Sequence, residues 1–164
     1  MEAFDSDLLD ILPRIAAALA CGVSIGINRD LHGKPAGFRT FGLVALGAAI
    51  VTMAAQRLVP ADPAAASRVA QGILTGIGFL GAGLIVRRES ARRVSGLTTA
   101  AAVWATAGLG IACGLGLYAL ALAGIAAALL VLVVGGPVER LMERILGTQD
   151  DDPKPPSPPR AGQV

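Results

Sequence analysis

The chain has 164 residues, of which 54% are hydrophobic, 16% charged and 4% aromatic, with a net charge of +2. A soluble domain this small would need more polar surface, so the composition excludes an ordinary soluble globular domain. The net charge says little by itself and calls for no nucleic-acid partner; the distribution of charge says much more.

Uncharged runs place the elements. Ile15 to Asn28 carries no charge but would be only about 21 Å long as a helix. Extending it back to about residue 11 brings in Pro13, suited to a first helical turn, and Arg14, whose stem can lie in lipid while its head snorkels to the interface. A first span is expected at about 11–28. The acidic start MEAFDSDLLD lacks the basic region of a signal peptide and argues equally against a lipoprotein site at Leu19-Ala20-Cys21. Gly22-Val23-Ser24-Ile25-Gly26 matches the G-x-S-x-G nucleophile elbow, which needs a strand, a sharp turn and a helix, then an acid and a histidine downstream. Here it lies inside an apolar helix, and the single histidine, His32, follows eight residues later. No enzyme is expected. The next loop holds Asn28, Arg29, Asp30, Lys34 and Arg39, the first candidate functional polar residues; Gly33-Lys34 lacks the rest of a P-loop.

Thr40 to Gln56 is the second uncharged run, giving a span at about 40–57. Val69 to Val86 is the third, giving a span at about 69–86. Its strongly apolar residues each favour insertion by about 0.3 to 0.6 kcal/mol. Its glycines oppose helix formation by about 1 kcal/mol each against alanine. It is a modest lipid-facing helix and a good interior one. The basic loop Arg87–Arg93 follows, and then Val94 to Val138, with no charge at all. A span needs about 20 residues, so this run holds two, broken at Gly114-Leu115-Gly116 into about 96–113 and 117–138.

Three glycine pairs, Gly22 with Gly26, Gly72 with Gly76 and Gly110 with Gly114, put small residues one turn apart on a helix face, the pattern of close helix packing. Gly78, Gly81 and Gly83 extend the packing surface of the third span. Thr75, Thr98 and Thr99 can bond across helices. Trp104 lies too deep for an interfacial anchor and is expected to fill space beside the glycines. Cys21 and Cys113 are intramembrane, with nothing in their spacing to indicate a disulfide or a metal.

Magnesium takes oxygen ligands, usually with one or two carboxylates, and transport sites usually display intramembrane ionisable residues. No Asp or Glu lies inside any expected span, so no metal site and no cofactor is expected. Asp30 is the carboxylate nearest the membrane, expected to pair with Arg29, Arg39 or a base of the Arg87–Arg93 loop.

Five spans put eleven of the fourteen basic residues on one side, leaving Arg14, Arg57 and Arg68 on the other. The positive-inside rule makes the richer side cytoplasmic, with the N-terminus outside and the C-terminus inside. Residues 1–146 thus form the membrane domain, an all-α bundle of five transmembrane helices. Residues 147–164 form a Pro-rich cytoplasmic tail expected to be disordered.

Three blocks resemble the MgtC/SapB family of bacterial inner-membrane proteins. They are GINRDLHGKPAGFRT (26–40), QGILTGIGFLGAGLI (71–85) and GLTTAAAVW (96–104), the last continued by Ala107-Gly108-Leu109-Gly110. The likeness covers about 15–140. The family often has a glutamate before the arginine of the first motif, where this chain has Asn28. Many members also carry a soluble C-terminal domain, where this chain has its tail. The resemblance implies a multi-pass inner-membrane protein with no agreed catalytic residues, linked to magnesium homeostasis and growth in low magnesium. In the best-studied branch it implies a regulator that binds the membrane sector of the ATP synthase. The expectation is a non-enzymatic regulator acting through membrane-protein partners in the lipid bilayer, with homo-oligomers allowed. The alternative is a small oligomeric, magnesium-related transporter or channel.

Overall fold

The computed structural model describes residues 2–60, 62–87 and 94–146. Five helices follow in chain order: α1 (Glu2–Leu31), α2 (Phe38–Leu58), α3 (Pro63–Leu84), α4 (Leu97–Gly114) and α5 (Tyr118–Leu146). Between α3 and α4 the strands β1 (Val86–Arg87) and β2 (Val94–Ser95) pair antiparallel, Val86 opposite Ser95. The all-α architecture read from the uncharged runs is present, and α1 and α5 run well beyond the apolar stretches that mark them. Residues 147–164, read as a Pro-rich tail, lie outside the described residues, as does the core of the basic loop, 88–93.

Four helical segments are long and apolar enough to cross a bilayer: Asp7–Leu31, α2, α4 and α5. α3 has 22 residues, ample length, but Ser67, Arg68, Gln71 and its glycines dilute its apolarity below that of the others. The breaks between helices follow local chemistry. Asp62 accepts a hydrogen bond from the Ala64 N–H at 2.9 Å, capping α3, with Pro63 at the first helical position. α4 starts after Gly96 at φ +94, where a Cβ would collide with the Leu84 carbonyl oxygen. The α4–α5 turn falls at Leu115-Gly116, with Gly116 at φ +75.

α4 is the centre of the bundle, packing on each of the other four helices. Thr99, Ala102, Val103, Thr106, Gly110 and Cys113 of α4 are buried. α2 lies between two glycine seams. A Cβ at Gly22 of α1 would stand 2.9 Å from the Ala45 Cβ, and one at Gly26 would overlap the Phe38 backbone. From the other side, a Cβ at Gly110 of α4 would meet Ala45, and one at Gly114 would lie 2.7 Å from the Ala49 carbonyl oxygen. Backbone thus approaches backbone on both flanks of α2, the close contact that small residues permit in lipid. Gly72, Gly76, Gly78 and Gly83 of α3 behave differently: a Cβ at any of them would meet nothing within 4 Å, and one at Gly81 would reach only the Ala100 Cβ at 3.8 Å. α5 is the peripheral helix, with little of its span buried.

Candidate functional site

The candidate polar site gathers where α1 ends. The α1 helix turns through His32–Gly37, held by bonds from the Gly33 N–H to the Asp30 carbonyl and from the Lys34 N–H to the Arg29 carbonyl. His32 Nδ1 lies 2.7 Å from the Asn28 carbonyl oxygen. The residue before α2 is Gly37, which has no side chain to cap the helix. Asp30 does this instead: its Oδ2 accepts the Phe38 N–H at 2.9 Å. A Cβ on Gly37 would overlap that carboxylate, so the glycine makes the cap possible. An anion at a helix N-terminus is favoured by the backbone dipole.

Of the bases expected to pair with Asp30, Arg29 and Arg39 are among the described residues. Among the described residues Asp30 forms no ion pair with Arg29 or Arg39. Arg29 points away from it, into the bundle, while Asp30 turns back onto the α2 backbone. The remaining expected partners, the bases of the Arg87–Arg93 loop, have side chains outside the described residues.

Arg29 is 4% exposed. Its guanidinium donates to the Thr99 hydroxyl of α4 at 3.1 Å, a contact across 70 residues. Its Nε and the Asn28 Oδ1 are buried without a hydrogen-bond partner in the structure. A buried cation with unused donors beside a buried amide with an unused acceptor is a costly arrangement, and such arrangements concentrate where proteins do their work. Of the other candidates, Lys34 and Arg39 are exposed on the loop and the start of α2. Thr75 and Thr98 are exposed on α3 and α4. Trp104 is 53% exposed, which corrects its expected place among the glycines. The buried face of α4 runs through Val103 and Thr106, and Trp104 is turned about 100° from Val103 around the axis.

A second polar cluster, at the other end of α1, is one that sequence reasoning missed. Arg14 donates to Asp10 at 2.7 Å, to Gln56 of α2 at 3.0 Å and to the carbonyl of Gly114 at the end of α4 at 2.8 Å. Arg57 joins the same Asp10 at 3.3 Å. Arg14 is therefore a clamp across three helices rather than a snorkelling side chain. The i, i+4 spacing of Asp10 and Arg14 was the available signal. Cys21 and Cys113 are free thiols buried together in the core. Ser24 sits within continuous helix, its hydroxyl donating to the Ala20 carbonyl at 2.7 Å.

Outside the spans, Asp62 is held below the usual carboxylate range, first by its hydrogen bond from Arg68 and then by the Ala64 N–H. The described residues contain no group of three or more His, Cys, Asp or Glu able to hold a metal ion.

The model of the MgtC family matches residues 15–141. Protein SrpB of Synechococcus elongatus is 47% identical over 128 residues, covering 72% of this chain and 70% of that protein. Putative magnesium transporter YhiD of Escherichia coli is 41% identical over 133 residues, covering 76% of this chain and 59% of that one. Protein MgtC of Salmonella typhimurium is 44% identical over 109 residues, covering 66% of this chain and 45% of that one. No solved structure matches the chain. The matched region takes in α1 from Ile15, all of α2, α3 and α4, and most of α5, so that the Arg29–Thr99 contact and both glycine seams lie inside it. The chain is a multi-pass membrane protein and belongs to the MgtC family.

Proposed function

We propose that the chain is a non-enzymatic regulator of the inner membrane, with its N-terminus outside, that acts by helix contact with a membrane-protein partner in adaptation to low magnesium. The observation that carries this reading is the outer face of α3. Gln71, Thr75 and Gly78 lie on successive turns and are exposed. A glycine, a hydroxyl and an amide make a poor surface for lipid and a good one for another helix. The magnesium link rests on the similarity to the putative magnesium transporter YhiD and on the family. The resemblance makes the membrane sector of the ATP synthase the first partner to test.

The second reading is an oligomeric magnesium transporter whose path lies between copies, favoured by the name of YhiD alone. Buried Arg29 weighs against a path through one copy, because a fixed positive charge in low dielectric repels a divalent cation.

Two measurements divide the readings. Purified protein in liposomes should pass Mg²⁺ no faster than protein-free vesicles; faster flux would overturn the regulator. Affinity purification from native membranes should recover a membrane protein, and T75L or Q71L should lose it while the chain still inserts.

A further inference from the structure

A groove of about 890 Å³ opens between α2 and α3. We infer that it seats one phospholipid of the leaflet on the side of the α1–α2 loop, with an ethanolamine headgroup at its mouth. The inference is independent of the function proposed above.

Depth decides the kind of occupant. The α2 wall of the groove runs from Phe38 to Val51, about 20 Å of helix, of which the first turn carries the charged mouth and the apolar part from Leu43 to Val51 takes up about 12 Å. A transmembrane helix needs about 30 Å of hydrocarbon contact, and one leaflet supplies about half of that. The groove therefore matches an acyl chain and is too short for a spanning helix of a second copy. α3 runs antiparallel to α2 here, with Leu80 towards the mouth and Gly72 opposite the deep end. Gly47 and Gly76 face the groove from opposite walls, and a Cβ at either would meet nothing within 4 Å. The room these glycines leave is the room a chain of methylenes takes.

Charge decides the headgroup. Only the mouth is charged, by Asp30 and Arg39, with Thr40 lining the groove beside them. Among the described residues neither Asp30 nor Arg39 is in an ion pair. One Asp30 oxygen already accepts the Phe38 N–H, which fixes the carboxylate at the mouth. A guanidinium and a hydroxyl take a phosphate; a carboxylate takes an ammonium. Together they fit phosphoethanolamine, which carries both. They disfavour phosphatidylglycerol, whose single negative charge would leave Asp30 facing an anion.

Native mass spectrometry of the full chain, with phosphatidylethanolamine and phosphatidylglycerol supplied in equal amounts, tests this. The wild-type chain should retain one lipid, with an ethanolamine preference of about tenfold, equivalent to about 1.4 kcal/mol. G76L and G47L fill the groove from opposite walls, so either one that folds should lose the lipid. Gly83 has equally empty surroundings but lies off the groove, so G83L should keep it. D30N, which keeps an acceptor for the Phe38 N–H, should keep a lipid and lose the headgroup preference, whereas R39Q should weaken both lipids alike. Unchanged retention in a folded G76L or G47L would overturn the seat. So would equal binding of the two lipids by the wild type, or efficient cross-linking of G76C between two copies in lipid.

Discussion

Arg14 and Arg29 sit on one helix, about 22 Å apart along its axis, and the molecule treats them in opposite ways. Arg14 has a carboxylate, an amide and a helix-terminal carbonyl arranged around it, with Arg57 completing the network. Arg29 has one hydroxyl, no carboxylate among the described residues, and an unused Nε. The first arrangement stabilises, because each buried donor is matched and the Gly114 carbonyl, unpaired at a helix end, gains a cation. The second does not optimise stability. A charge removed from water and given a single neutral partner costs more than that partner returns. The contrast separates a structural arginine from a candidate functional one without reference to any relative.

Four changes test the contrast. Arg14→Ala carries the largest expected loss of stability, about 2–3 kcal/mol, since it leaves the Gly114 carbonyl and Gln56 without their donor. A thermal melt in detergent measures it; an unchanged melting temperature would remove the clamp. Arg29→Met should move the other way. Stability stays level or rises by about 1–3 kcal/mol, while growth in low magnesium is no longer supported. A variant that melts early and still supports growth would make Arg29 structural after all. Thr99→Val comes next, losing about 1–2 kcal/mol by taking away the hydrogen bond to Arg29. In an R29M background the same change should cost far less, and a double-mutant cycle reads that difference.

Smaller again is Asp30→Ala, which uncaps α2 for about 1 kcal/mol; Asp30→Asn keeps an acceptor and should retain most of it. Hydrogen exchange at the first turn of α2 reports the loss, and equal protection in all three proteins would remove the cap.

The smallest effect is one of pH, at Asp62, which belongs to neither arginine. Its folded-state pKa lies below the ordinary value, so what it adds to α3 is present above about pH 4 and disappears as pH falls through the folded value. Fraying confined to the start of α3 in mild acid is the expected sign, absent in Asp62→Ala.

Much of this architecture was legible in the residues. The uncharged runs, the Gly114-Leu115-Gly116 break and two of the three glycine pairs correspond to helices, a turn and close contacts. The third pair, Gly72 and Gly76, has the same spacing and no neighbour within the chain. Spacing along a helix states that a face is smooth; it does not state which helix lies against it. The same limit hid the Arg29–Thr99 contact, because residues on α1 and α4 meet only through the way α2 is flanked. Trp104 was misplaced for a related reason. Depth in the membrane follows from position in the run, but the side of the helix that faces inward follows from the neighbours.

The two seams on α2 also bear on the order in which the molecule assembles. α1 and α2 form a hairpin that closes on Gly22 and Gly26 as soon as both have entered the bilayer. The opposite flank of α2, from Ala45 to Thr52, has no seat until Gly110 and Gly114 have been synthesised. Arg14 likewise waits for the Gly114 carbonyl, a hundred residues behind it. The last turn of α4 thus acts as a keystone: it seats the second flank of α2 and the far end of α1 in a single late step. A nascent chain halted after Leu84 would hold a finished first seam and an open second one, and would present a smooth helical face to whatever insertion factor or neighbouring helix is at hand.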